Sequence, residues 1–235
     1  MSKSRKPSKR QRANLEIAPT EALTVSDACA AVKKYKATKF DMTINVVMHL
    51  GIDPAQADQA IRGSVSLPKG IGVSKKVVAF CREDVAKLAL AAGAVAAGGE
   101  ELVAKIEGGW MDFDVAVASP DMMRVVSKLG KVLGPKGLMP SPKSGTVTQD
   151  VPAAVKEYSA GKVEYRNDKG GNIHAVIGKM SFPAPDLTAN LEHFIQTIEK
   201  SRPNTAKGVF IKKCVIAGAM TPSVQVKIAQ AVAAE

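Results

Sequence analysis

A chain of 235 residues, 46% hydrophobic and 4% aromatic, has room for one large domain or two small ones around an aliphatic core, which excludes a disordered chain. Its formal charge of +11, from 33 Lys and Arg against 22 Asp and Glu, points to a polyanionic partner, nucleic acid before an acidic membrane surface. No run approaches the roughly 18 apolar residues of a membrane span, and no apolar stretch follows the basic start MSKSRKPSKRQR to make a secretory signal.

Residues 1–19 read as a basic leader that orders on binding, with Lys3, Arg5, Lys6, Lys9, Arg10 and Arg12 making sequence-independent phosphate contacts. Residues 24–35 carry cap residues and then a helical pattern. In 41–50, Met42, Ile44, Val46, Met48 and Leu50 alternate as in a strand buried on one face. A turn at Asp53-Pro54 leads to a strand over 61–67, then to the cluster Pro68–Gly72. From Lys76 the grammar changes. VVAFC and FDVAVA are short strands, while EDVAKLALAAG, GGEELVAKIEGG, SPDMMRVVSKLG and VPAAVKEYSAG are helices. Strand alternating with helix implies a parallel α/β layer. After Gly161 the pattern reverts. KVEYRND and NIHAVIG flank Lys169-Gly170-Gly171 as a hairpin, residues 186–203 form an amphipathic helix, and two strands close the chain.

The ends therefore read as α+β and the middle as α/β. Charge divides the same way. Residues 1–67 carry 11 basic and 6 acidic groups and residues 160–235 carry 10 and 6, whereas 68–159 carry 12 and 10. If the two ends form one body, that body is the polyanion binder.

Enzymatic readings find little support. LGKVLGPKGLMPSPKSGT, residues 129–146, has the glycine and lysine of a phosphate cradle but no GxxxxGK[ST], and Pro135, Pro140 and Pro142 remove amide donors. Gly70-Ile71-Gly72 lacks the third glycine of a dinucleotide loop. His49, His174 and His193 have no metal-like partner at helical spacing, so no metal or other cofactor is expected. Carboxylate pairs such as Glu83-Asp84 open helices, where they suit the macrodipole. Cys29, Cys81 and Cys214 are widely spaced and read as small buried apolar residues in a reducing cytosol. A nucleotide-dependent nucleic-acid enzyme using the α/β middle stays as the alternative reading.

Five stretches in order, residues 39–70, 108–126, 129–148, 165–182 and 206–214, together resemble the ribosomal protein L-one family, bacterial type, with GPKGLMP as its signature. The resemblance implies a discontinuous α+β RNA-binding domain, residues 1–68 and 160–235, with an inserted three-layer α/β domain, 69–159. It implies a hinge at Pro68, Gly70, Gly72 and Gly161. It also implies a non-enzymatic, cytoplasmic component of the 50S subunit that binds the 23S rRNA stalk, assists release of exit-site tRNA, represses its own operon through the mRNA, and is a monomer outside the ribosome. Lys39, Phe40, Asp41 and Thr43 match the family's first contact motif, although Phe40 could instead start the strand core. Arg166, Asn167, Lys169 and His174 match a second stretch, which could equally be a solvated hairpin. Near the C-terminus the family has Thr-Met-Gly where this chain has Ala219, Met220 and Thr221, followed by Pro222 and Ser223. Thr221 is expected to supply the missing hydroxyl from one place over. Lys131, Lys136 and Lys143 are candidate tRNA contacts on a stiff basic loop, or part of a turn that only stabilises the fold.

Overall fold

The computed structural model describes residues 7–206 and 208–228. Lys3, Arg5 and Lys6 of the leader lie outside the described residues. The chain divides into two compact units, one comprising Met1–Ile61, Leu67–Gly72 and Tyr165–Glu235, the other Arg62–Ser66 and Val73–Glu164. These bounds differ from the expected ones. Gly70 and Gly72 belong to the first unit and Gly161 to the second, and the short segment Arg62–Ser66 groups with the second.

The first unit is α+β. Its sheet holds β1 (Thr43–Leu50), β7 (Asn172–Lys179), β8 (Ile211–Gly218) and β9 (Val224–Val226) in the order β7-β1-β8-β9, antiparallel throughout. The alternation in β1 buries Ile44, Val46, Met48 and Leu50. Helices α2 (Val25–Lys33) and α8 (Ala184–Lys200) pack on each other and on this sheet. From α8, Leu187, Leu191, Phe194 and Ile198 are buried. The α8 residue Asn190 is also buried, with both donors and its carbonyl oxygen engaged: Oδ1 accepts from Lys69 N–H at 3.0 Å, and Nδ2 donates to Gly70 O and Ile177 O at 2.9 Å. A buried amide satisfied in this way is a clamp rather than a cost, and it pins the segment Lys69–Gly70 to the body of the unit.

The leader departs from expectation. Lys9–Ile17 form helix α1, started by a capping box in which Ser8 Oγ accepts from Gln11 N–H and Gln11 Oε1 accepts from Ser8 N–H. Buried Asn14 ties the helix down by accepting from Lys36 N–H at 2.9 Å.

The second unit is α/β. Strands β3 (Val77–Phe80), β4 (Ala96–Gly98) and β5 (Val115–Ala118) pair in parallel in the order β4-β3-β5. Val77 and Ala79 face a cluster with Val117, Val151, Val155 and Tyr158 from one side. Val78 and Phe80 face Leu102, Ile106, Val126, Leu129 and Leu133 on the other. Helices α3 (Glu83–Ala91) and α7 (Val151–Ser159) supply the first layer, and α4 (Glu100–Glu107), α5 (Met123–Val126) and α6 (Gly130–Leu133) the second. Cover on both faces is what an all-parallel sheet requires. The single helix expected over 119–130 is instead a winding run of short α and tighter turns.

The hairpin over 162–178 is overturned. Strand β6 (Val163–Arg166) pairs with β2 (Arg62–Val65) in a separate two-stranded sheet, while β7 pairs with β1. Only a single bridge, Asn167↔Ile173, joins the two arms. The turn is real, because the Asp168 carboxylate accepts from Gly170 N–H and Asn172 N–H, both at 2.8 Å. Its two arms diverge into different sheets.

Candidate nucleic-acid interface

Strand register brings the first and last contact motifs together. Thr43 faces Lys179 across β1–β7, and Ile44 faces Gly218 across β1–β8. The loop before β1 and the turn after β8 thus leave the sheet at the same end. Backbone bonds lock them there: Ala219 N–H donates to Thr43 O at 2.9 Å and Met180 N–H to Met42 O at 2.8 Å.

Phe40 stands out at this end with 53% of its surface exposed, and Met220 with 54%. Phe40 is therefore not in the strand core, and Met42 takes that place, fully buried. The loop that presents Phe40 is held on both sides. Thr38 Oγ1 donates to Phe40 O at 2.7 Å. The Asp41 carboxylate accepts from Ser181 N–H at 3.0 Å and from Ser181 Oγ at 2.8 Å. Lys33 Nζ donates to the carbonyl of Phe182, one residue further on. Thr43 Oγ1 accepts from Lys179 Nζ at 3.0 Å. So of the first motif, Lys39 and Phe40 are presented outward, while Asp41 and Thr43 build the support. An exposed apolar ring on a fixed backbone spends little conformational entropy when it is covered.

At the C-terminal turn, Thr221 N–H donates to Gly218 O at 3.2 Å, and Thr221 Oγ1 accepts from Gly218 N–H at 2.9 Å. The expected free hydroxyl is thus committed to closing its own turn. Met220 and Ser223 are exposed and Pro222 partly so. The leader helix reaches the same place: Arg10 Nη2 lies 3.9 Å from Met220 Sδ. From the sequence Arg10 reads only as a leader phosphate contact, and Thr38, Ser181 and Lys33 are not singled out at all, because their roles arise only from register.

The middle stretch lies elsewhere. Asn172 faces His49 at the far end of β1, six residues and roughly 20 Å from Thr43. Arg166, Lys169 and His174 are exposed there, and His174 Nε2 lies 3.6 Å from Asp168 Oδ2. Asn167 is structural, its Oδ1 accepting from Ile61 N–H at 2.9 Å. Only His174 of this strip stands on the four-stranded sheet, Arg166 ending β6 of the two-stranded one, and the strip and the Phe40 end are separate places.

In the second unit, the basic loop is fixed at its root and free at its tip. Buried Tyr158, its hydroxyl pushed up to about 12 by burial, donates to Ser144 O at 2.7 Å. Thr146 Oγ1 accepts from Ser141 N–H at 2.8 Å. Gly137 takes φ 71°, which ends the helical run where Leu138 N–H returns to Leu133 O. Lys131, Lys136 and Lys143 are exposed around this frame.

Of the expected hinge residues, Pro68 is exposed, and Gly70 is clamped by Asn190. Gly72 has φ 73° and ends the first unit's short segment, whereas Gly161 returns its N–H to Tyr158 O at the end of α7. The crevice beyond the parallel strands, where α/β folds take nucleotides, is spanned by Arg82–Asp121 at 2.7 Å. Glu83 and Asp84 open α3 beside it and would repel phosphate.

Phe40 is thus a fixed, outward aromatic with exposed Lys39 beside it. The chain belongs to the Ribosomal protein L1p/L10e family, whose model matches residues 32–222. It is 55% identical over 221 residues to the large ribosomal subunit protein uL1 of Rhodopirellula baltica, covering 94% of this chain and 98% of that protein. It is accordingly a ribosomal protein, structural and not enzymatic, whose place is the cytoplasmic ribosome.

Proposed function

We propose that the chain is a structural constituent of the large (50S) subunit that binds the 23S rRNA stalk through the first unit. The observation that carries this is the convergence of Lys39–Phe40 and Met220–Ser223 at one end of the antiparallel sheet, with Phe40 and Met220 both more than half exposed. An aromatic can lie on a ribose or an unstacked base, and lysine meets phosphate. The two discontinuous parts then act as the RNA-binding domain, and the α/β unit is the inserted one. The inserted unit carries Lys131, Lys136 and Lys143 toward exit-site tRNA and assists its release. The same RNA surface serves for repression, by binding the operon's own mRNA, and the free protein is a monomer.

Gel shifts of the intact protein on a stalk rRNA fragment and on an unrelated duplex test this. Phe40→Ala should weaken stalk binding by about 1–3 kcal/mol at every salt concentration and leave the duplex unaffected, and operon mRNA should compete with the fragment. Unchanged stalk affinity in a variant whose melting curve shows it folded would remove Phe40 from the interface.

A further inference from the structure

Strand β8 breaks its own alternation. His49 faces Lys213 and Leu50 faces Ile211, so Lys212 has no residue opposite it. This is a β-bulge, which re-aims side chains. Regular alternation would have turned one of two neighbouring lysines inward, and the bulge leaves both exposed. The fold makes room for it: a Cβ on Gly51 would lie 2.3 Å from Val209 O and 3.3 Å from Lys212 Cε.

Lys227, just beyond the edge strand β9, is placed beside them. Val226 pairs with Cys214, and Lys227 N–H donates to Leu23 O at 2.7 Å. The three lysines line an open cleft of about 170 Å³ with Gln225 and Ile211, and no acid is among its described lining residues. Among the described residues none of the three forms an ion pair. Like charges gathered without a counter-charge are self-repelling, and an amide side chain beside them adds a neutral donor. The cleft lies at the His49 end of the sheet, roughly 20 Å along β1 from Thr43 at the Phe40 end.

We propose that Lys212, Lys213 and Lys227 form a backbone-phosphate site for RNA, separate from the Phe40 end and indifferent to sequence. An RNA stem held at Phe40 and laid along β1 reaches it. The proposal rests on the reading of the chain as an RNA binder but not on recognition of the stalk, so the two can fail separately.

The test is the salt dependence of binding by the full chain, on the stalk fragment and on unrelated duplex RNA. The variant K212Q/K213Q/K227Q is compared with the equal charge loss K87Q/K105Q/K128Q in the second unit. Each phosphate contact contributes about 0.7–0.9 to the slope of log affinity against log salt. The cleft variant should flatten the slope by about two units on both RNAs, and the control variant should leave it nearly unchanged. Equal flattening by both variants would mean that only net charge is felt, and would overturn the site. So would an unchanged slope, or loss of binding to acidic-lipid vesicles with RNA slopes intact. Should melting show the triple variant unfolded, Lys213→Gln alone decides, with a fall of just under one unit expected and none overturning the site. A wild type that binds stalk and duplex equally would defeat stalk recognition while leaving this measurement valid.

Discussion

Phe40 shows how much the presentation of a single exposed residue depends on its neighbours. Its ring is presented because Thr38 holds its carbonyl and Asp41 holds Ser181, and all three bonds lie within 3.0 Å. Asp41→Ala should therefore leave the ring in place chemically but let its backbone wander. Loss of two charge-assisted bonds at an exposed site costs about 1 kcal/mol of stability. Stalk-RNA affinity should fall as well, by less than for Phe40→Ala, with the salt slope unchanged. Urea unfolding and gel shifts on the same preparation check this. A fall in affinity equal to that of Phe40→Ala would make Asp41 a direct contact. Thr221 carries the converse lesson. The sequence suggested a hydroxyl offered to RNA, and the fold uses it to bond Gly218 N–H. A hydroxyl three residues beyond a strand end is within reach of its own turn before any ligand arrives.

At the scale of elements, strands and helices with strong periodicity were legible. Met42 through Leu50 alternate, and β1 buries that face. Partners were not legible. Lys169-Gly170-Gly171 is a turn signal with a physical basis, but a turn does not oblige its arms to pair. Here β6 finds β2, and β7 finds β1. The leader misled in the other direction. A basic, proline-containing start looks disordered, yet the capping box and buried Asn14 order residues 9–17. The Asp168 turn titrates in a way that can be measured. Asn172 N–H, then the Asn172 side-chain amide, with Gly170 N–H and His174 adding, hold its carboxyl down to about 2. An unfolded aspartate titrates near 3.9, so the folded carboxyl gives up its proton more readily. Its contribution is present in full above about pH 4 and is lost as pH falls through about 2. Amide resonances of Gly170 and Asn172 should titrate with a midpoint near 2 in the folded protein. A midpoint near 4 would mean that these bonds do not form in solution.

At the scale of the molecule, composition and grammar indicated an α+β body and an α/β body, and the chain divides into two units of those kinds. The crossing points were less legible, because glycine marks a positive φ without saying why it is needed. Gly70 is clamped and Gly161 ends a helix, while the division falls at Ile61/Arg62, Ser66/Leu67, Gly72/Val73 and Glu164/Tyr165. We propose that motion between the units occurs at those crossings rather than at Pro68–Gly70. Spin labels on α8 and on α4 should give a broad distance distribution in the free protein that narrows on stalk RNA. A single narrow distribution without RNA would refute the hinge.

Crosslinking locates bound RNA on the chain most directly. A photo-crosslinking phenylalanine analogue can be placed one at a time at Phe40, at Lys136 on the basic loop, and at Leu88, which is exposed on the second unit, and the full-length proteins assembled into ribosomes. The proposed function predicts crosslinks from Phe40 to stalk 23S rRNA, from Lys136 to exit-site tRNA, and none to RNA from Leu88. Stalk crosslinks from Leu88 with none from Phe40 would place the RNA on the other unit and contradict it.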